Sequence, residues 1–257
     1  MHPVLLSLIV SVGINAVFFA YAALRRTDVV TDLSYSLSFA SVALLLAALQ
    51  GATDLFRLLA AVMVILWALR LGSYLLGRIL SIKVDHRFDG MRDKPLKFAS
   101  FWILQALTVV IVLAPVSVVL GGAGSATLPG LSVAGLVLWA IGMAIESLAD
   151  AQKSAFKKAG TPGFIRSGLW AWSRHPNYFG ETLVWAGMYL YCLPMLGSAA
   201  IPSLASPLGI TALLLFVSGI PLLEKAADKK FGGQAAYEAY KSSTSIFVPL
   251  PPKGTES

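Results

Sequence analysis

The sequence predicts an all-α fold: a polytopic integral membrane protein with seven transmembrane helices, its N-terminus outside and its C-terminus cytoplasmic. Two observations carry this. Of 257 residues, 57% are hydrophobic and only 13% are charged, whereas ordinary soluble domains carry about 25% charged residues. A chain so poor in charge lacks the polar surface that a water-soluble fold of this size requires, and lipid removes that requirement. Second, Lys and Arg gather in alternate connections between long apolar runs, the pattern of the positive-inside rule.

The runs follow in order at 3–23, 33–49, 55–79, 98–120, 131–149, 178–196 and 208–223. The first has no basic region before it and no small-residue cleavage site after it, so it reads as a retained helix rather than a signal peptide. Arg25 and Arg26 follow it. The third carries Arg57 near one end and Arg70 deep inside. A charged loop at 78–97 holds His86, Arg87, Asp89, Arg92, Asp93 and Lys94, and a second charged loop spans 150–177. The turns at 50–54, 121–130 and 197–207 contain no Lys or Arg. The basic stretches, with the polar and partly helical tail from Glu224, therefore share the inner side. The chain reads as one membrane-embedded domain over 1–257, with its chemistry-bearing half at about 131–252. No internal repeat of the transporter kind is visible.

Net charge is +7, an inside-loop excess that matches anionic lipid headgroups, and no nucleic-acid partner is expected. Cys192 stands alone, and the histidines are His2, His86 and His175, too few for a Cys- or His-rich metal centre. No phosphate-loop or dinucleotide-fold glycine pattern occurs, so any nucleotide must bind within a helical bundle.

Three groups of residues suggest chemistry. Arg70 is costly in mid-span unless paired or facing water, and Tyr74, four residues on, shares its face. Glu146 and Asp150, four apart at the inner end of the fifth helix, are continued by Lys153 and Lys157. The densest group is Arg174-His-Pro-Asn-Tyr-Phe-Gly-Glu181. Pro176 suits a first helical turn. Asn177, Glu181 and Trp185 then share one face, with Tyr178 beside Asn177. Free amides at that helix start, with Arg174 and His175 just before it, suit a phosphate-bearing ligand. A belt of interfacial Trp and Tyr with a basic anchor is the structural alternative. In the tail, Glu224 and Asp228 are four apart, and Tyr237 and Tyr240 precede Phe247-Val-Pro249. They read either as a lid on a site or as an interfacial helix.

These residues carry a resemblance. Glu146-x-x-x-Asp150-x-Gln152-Lys153-x-x-Phe156-Lys157, Gly168-Leu-Trp170, Ser173 through Glu181, Trp185-x-Gly187, Ser218-Gly-x-Pro-Leu-Leu-Glu224, Tyr237-x-x-Tyr240 and Phe247-x-Pro249 resemble the bacterial membrane proteins related to steroid 5-alpha-reductase. The chain is more distantly similar to sterol C14 reductases and isoprenylcysteine carboxyl methyltransferases. The resemblance implies seven membrane helices, NADPH as cofactor, and hydride transfer to the carbon–carbon double bond of a lipophilic enone, a 3-oxo-delta-4 steroid or similar, entering from the bilayer. It implies a bacterial inner membrane with the cofactor site on the cytoplasmic side. It places Asp150, Asn177, Glu181 and Trp185 on matching family positions at the nicotinamide–ribose end, and Glu146 where the reductases often have Asn. Lys157 falls at a basic position near the phosphates, with Arg166, Arg174 and the loop basics as further phosphate contacts. Arg70, Lys153, His175, Tyr178, Glu224, Asp228, Tyr237 and Tyr240 complete the expected cofactor surroundings. One departure is clear: Trp67 stands where the steroid reductases have the Tyr that polarises the ketone. An acid must still stabilise the developing enolate, and Asp32, Tyr35 and Tyr74 are the candidates. Two alternatives stand beside this reading: S-adenosylmethionine-dependent methylation of a lipophilic carboxylate or thiol, and a non-catalytic lipid- or sterol-binding protein.

Overall fold

A computed structural model describes residues 1–49, 54–85, 88–122 and 128–252. His86 and Arg87 of the first charged loop, residues 50–53 of the turn predicted at 50–54 and residues 123–127 of that predicted at 121–130 lie outside the described residues. The described chain is helical: α1 Pro3–Arg25, α2 Thr31–Leu49, α3 Leu55–Ile82, α4 Pro95–Leu120, α5 Gly130–Lys158, α6 Pro176–Cys192, α7 Ala200–Ser203, α8 Ala205–Ala212, α9 Ile220–Phe231 and α10 Ala235–Ser243. Among the described residues, six helical stretches are long and apolar enough to cross a membrane: α1 to α5 and the stretch Gly197–Phe231.

Several boundaries shift by a few residues, α3 running to Ile82 rather than 79 among them, and three departures have a clear physical reason. α5 runs to Lys158 rather than ending at 149. Its last turns are rich in Ala, Lys and Gln, good helix formers, so hydrogen bonding continues after the apolar run stops. α6 stops at Cys192 and gives way to a 3₁₀ turn at Leu193–Met195, because Pro194 cannot donate to a continuing helix. Its 17 residues rise only about 25 Å, less than the ~30 Å of a bilayer's hydrocarbon. The last apolar run is broken: a π turn at Leu213–Val217 follows α8, and α9 restarts at Ile220 with Pro221 in its first turn.

The chain divides into two compact units, Met1–Gly135 with Met188–Ser206, and Leu136–Gly187 with Pro207–Ser257. In the first, α1 packs on α2 and α4, and α2 packs on α3 and α4. Its core includes Phe39, Leu46, Phe56 and Trp67, all fully buried. A polar seam threads this core. Gln105 Nε2 donates to Asn15 Oδ1 at 2.7 Å and to Ser34 Oγ at 2.8 Å, while Asn15 Nδ2 donates to Ser11 O at 2.8 Å and Ser38 Oγ at 3.2 Å. In a dry helical bundle such groups must satisfy one another.

The first unit also matches its charges. Asp54 caps α3 by accepting from Arg57 N at 3.0 Å and from its guanidinium at 2.5 Å, and Arg57 Nε donates to Val119 O at 3.0 Å. At the opposite end Arg78 pairs with Asp32 at 2.9 Å and Asp85 at 3.1 Å. Arg92 pairs with Asp28 at 2.6 Å and Asp89 at 2.9 Å. Asp28 is buried and also accepts from Asp85 N at 2.8 Å, so this network fastens the connection between α3 and α4 to the start of α2.

In the second unit α5 and α6 press together through glycine. A Cβ at Gly180 would meet Glu146 N at 2.6 Å, and one at Gly142 would meet Val184 N at 2.5 Å. Small residues permit this backbone approach, and it places Glu146 against the head of α6.

Candidate functional site

The second unit encloses a cavity of about 440 Å³, within the ~300–1,000 Å³ range of small-molecule sites. Five segments build it. The extension of α5 supplies Lys153, Phe156 and Lys157, neighbours on one helical face. The approach to α6 supplies Trp170, Arg174 and His175. α9 supplies Glu224, Lys230 and Phe231, and α10 supplies Tyr237 and Tyr240. Phe164, from the loop between α5 and Gly168, packs against three of these rings: Phe231 at 5.4 Å, Tyr237 at 5.2 Å and Tyr240 at 5.3 Å between centroids.

The wall is pinned by hydrogen bonds. Trp170 Nε1 donates to Ala149 O at 3.0 Å, Leu169 N to Gln152 Oε1 at 3.0 Å, and Tyr240 Oη to Trp170 O at 2.7 Å. Gly168 has φ +61° and no room for a Cβ beside the Gln152 amide, so glycine is required there. The C-terminal segment doubles back along the approach to α6. Arg174 N donates to Ser245 O at 2.8 Å, Ser173 Oγ to Phe247 O at 2.8 Å, and Leu250 N to Trp172 O at 3.0 Å.

The lining carries four cations, Lys153, Lys157, Arg174 and Lys230, and one carboxylate, Glu224. Glu224 holds His175 Nε2 at 2.8 Å and Arg174 Nη1 at 2.8 Å. Burial pulls the His175 imidazole below its usual range despite the opposing pull of Glu224, so the ring is neutral near pH 7. Burial raises the Tyr240 phenol, and burial together with Asp228 raises that of Tyr237; both remain protonated donors. His175 Nδ1 and Arg174 Nε are buried and have no hydrogen-bond partner among the described residues. The neutral ring gives its one N–H to Glu224 through Nε2, so Nδ1 is an acceptor and Arg174 Nε a donor; buried groups left this way are costly and mark where a ligand's complementary polar atoms belong.

The predicted residues therefore fall into groups. Lys153, Lys157, Arg174, His175, Glu224, Tyr237 and Tyr240 line the cavity. Asp228 stands beside it, accepting from Tyr237 Oη at 2.8 Å and Lys241 Nζ at 2.6 Å. Tyr178 stacks on the His175 ring at 5.8 Å. Glu146, Asp150, Glu181 and Trp185 are buried. Asn177 Nδ2 donates to Asp150 Oδ1 at 3.2 Å, and none of these five residues lines the cavity. Arg166 is exposed and outside its lining. Asp32, Tyr35, Arg70 and Tyr74 belong to the first unit. There Asp32 is ion-paired with Arg78, Tyr35 packs edge-on to Phe39 at 5.0 Å, and the Arg70 guanidinium lies 6.0 Å from the Tyr74 ring centroid.

The sequence reading missed Phe164, Lys230 and Phe231. The last two were findable: Glu224, Ala227 and Phe231 repeat at helical spacing, which gives α9 a face toward the site. Phe164 sits in a glycine-rich loop where no periodicity exists to mark it.

The comparisons place the chain at the level of family. Residues 18–244 match the family described as "Protein of unknown function (DUF1295)", and the chain belongs to that family, a membrane family similar to steroid 5-alpha-reductase. A fission-yeast protein, uncharacterized protein C594.04c of Schizosaccharomyces pombe, is 31% identical over 87 residues, which cover 34% of this chain and 24% of the yeast protein. The match thus spans about a quarter of that relative's length. No solved structure matches the chain.

Proposed function

We propose that the protein is an NADPH-dependent membrane reductase that saturates the carbon–carbon double bond of a lipophilic enone. The observation that carries this is the cavity's lining: four cations around one carboxylate, with Phe156, Phe164, Phe231 and two tyrosines forming an aromatic wall. That donor set fits a phosphate-rich dinucleotide. Lys153, Lys157, Arg174 and Lys230 meet phosphate charge, the unmatched Arg174 Nε donor finds an acceptor, the His175 Nδ1 acceptor faces a ligand hydroxyl or amide N–H, and the rings offer stacking faces. Glu224 sets the orientation of Arg174 and His175.

When bound, NADPH supplies the hydride. The chain's own residues exclude water, hold the cofactor and present a hydrogen-bond donor to the substrate carbonyl. Asp32 is held in an ion pair with Arg78, so Tyr35 and Tyr74 are the preferred candidate acids. The substrate, a 3-oxo-delta-4 steroid or a simpler flat enone, enters from the bilayer. In this reading α6 counts as a seventh pass, and the N-terminus lies outside. The cavity and C-terminus face the cytoplasm of a bacterium whose inner membrane holds the protein.

A methyltransferase fits less well, because S-adenosylmethionine brings a sulfonium and an amine cation toward four cations. The non-catalytic reading draws support from the Asp32–Arg78 pair and from Trp67 in the core. Turnover separates the two: NADPH oxidation is followed by absorbance on adding 3-oxo-delta-4 steroids and simpler enones to detergent-purified protein. Enone-dependent oxidation that survives Asp32→Asn and falls at least tenfold in Tyr35→Phe or Tyr74→Phe is expected. NADPH binding without oxidation by any enone favours the lipid-binding reading.

A further inference from the structure

A second cavity, of about 290 Å³, lies in the first unit between α1 and α4. Its floor is made by Asn15, Trp102 and Ala106, all buried, and its rim by Val12, Ala16, Ile103 and Leu107, all exposed. Both helices are long and apolar enough to cross a membrane, so the rim opens toward hydrocarbon. The Asn15 amide is engaged in the polar seam. Trp102 is different: it is 3% exposed, and its Nε1–H is buried with no acceptor among the described residues. A hydrocarbon tail alone leaves that donor unmet; a ligand bearing a carbonyl satisfies it.

Charge gathers at one end of the same two helices. α1 ends in Arg25 and Arg26, and α4 begins just after Lys94, with Lys97 in its first turn. All four side chains are exposed. Arg26 and Asp93 approach to 3.8 Å, which places the end of α1 beside the start of α4. The α4 N-cap, Lys94, makes no side-chain capping bond, so the leading amides of α4 remain available to an anion. Lys97 and Trp102 are five residues apart, about 7.5 Å along the helix axis. That separation suits a phosphate at the basic end with an ester carbonyl one level below it.

We propose that this groove is a binding site for an anionic bilayer phospholipid. An acyl chain fills the α1–α4 cavity, the ester carbonyl accepts from Trp102 Nε1–H, and the headgroup phosphate rests among Arg25, Arg26, Lys94 and Lys97. The site stands apart from the cofactor cavity in composition: its lining holds no charged residue, and its cations lie beyond it.

The test uses the full chain, delipidated in detergent, and native mass spectrometry with added dioleoylphosphatidylglycerol or dioleoylphosphatidylcholine. Phosphatidylglycerol is expected to be retained about tenfold more tightly. The double variant Arg26→Gln with Lys97→Gln removes that preference and leaves phosphatidylcholine retention unchanged. Ala16→Leu, at an exposed rim position that the fold tolerates, fills the groove and lowers retention of both lipids. Trp102→Phe weakens both while the thermal midpoint stays within a few degrees. As an independent reading, a phosphatidylglycerol brominated in its acyl chain quenches tryptophan emission in the native chain more than in Trp102→Phe. Equal retention of the two lipids, or phosphatidylglycerol adducts unaffected by Ala16→Leu, overturns the proposal. So does displacement of the adduct by a neutral enone with no effect of the charge variants.

Discussion

The two units of this protein treat charge in opposite ways. In the first, buried Arg57 sits on Asp54, and half-buried Arg92 sits on Asp28 and Asp89. Burial opposes charge at Asp54, yet hydrogen bonds from Arg57 hold its carboxyl below the usual range. In the second unit, four cations and one carboxylate line a single cavity, and two buried polar atoms, Arg174 Nε and His175 Nδ1, have no partner among the described residues. Matched charge in a membrane bundle fixes helix positions. An excess of one sign around a cavity prepares it for a ligand of the other sign. By that difference the ion pairs of the first unit read as scaffold, and the cavity of the second as a site for an anionic ligand.

Breaking the matched side has the largest expected effect. Asp28→Ala leaves Arg92 and Asp85 N without their shared acceptor and is expected to cost about 3 kcal/mol, the usual penalty for stranding one partner of a buried pair. The check is the thermal midpoint in detergent; NADPH affinity at a temperature where the variant is folded stays unchanged. On the unmatched side, Arg174→Ala is expected to weaken NADPH binding about 100-fold, as loss of charge-assisted hydrogen bonds does, with little loss of folding because Glu224 keeps His175.

A pH titration sharpens the comparison further. In the folded protein without ligand, burial sets the His175 pKa below the ordinary 6.5. The unfolded chain therefore takes up the proton first, so stability is full above about pH 6.5 and declines as pH falls toward the lower folded value. A bound polyanion favours the imidazolium, so NADPH affinity is expected to rise several-fold on acidification through the same window and to stay flat above it. His175→Gln removes both slopes, as calorimetry and thermal scans will show. The smallest effect is at the wall: Tyr240→Phe loses the bond to Trp170 O and is expected to cost about 1 kcal/mol, with a modest rise in the NADPH dissociation constant.

How much was legible in the sequence follows the same physics. Hydropathy located α1 through α5, because lipid imposes a composition on whatever crosses it. It misplaced the ends of α5 and α3, because a helix continues wherever its residues allow, and hydropathy reports only where the lipid stops. Pro194 and the Ser218-Gly-Ile-Pro221 break were visible letters whose consequence, a shortened α6 and an interrupted last run, was overridden by the apolar average. The head of α6 was found as a cluster, yet the structure splits it. Arg174 and His175 line the cavity, while Asn177 and Glu181 join Glu146 and Asp150 outside its lining. Helical spacing cannot reveal on which side of a packed glycine such residues end up. The Asn15–Gln105 seam escaped notice because isolated polar residues in apolar runs gain meaning only when helices distant in sequence meet.

The central claim is that the second unit's cavity binds a phosphate-rich dinucleotide. The most direct test is calorimetric titration of the detergent-purified full chain with NADPH, NADH and S-adenosylmethionine, repeated with Arg174→Ala and Lys157→Ala. The account predicts micromolar or tighter binding of NADPH, weaker binding of NADH, none of S-adenosylmethionine, and a loss of NADPH affinity in both variants. Binding of S-adenosylmethionine but not NADPH, or NADPH binding indifferent to both substitutions, contradicts it.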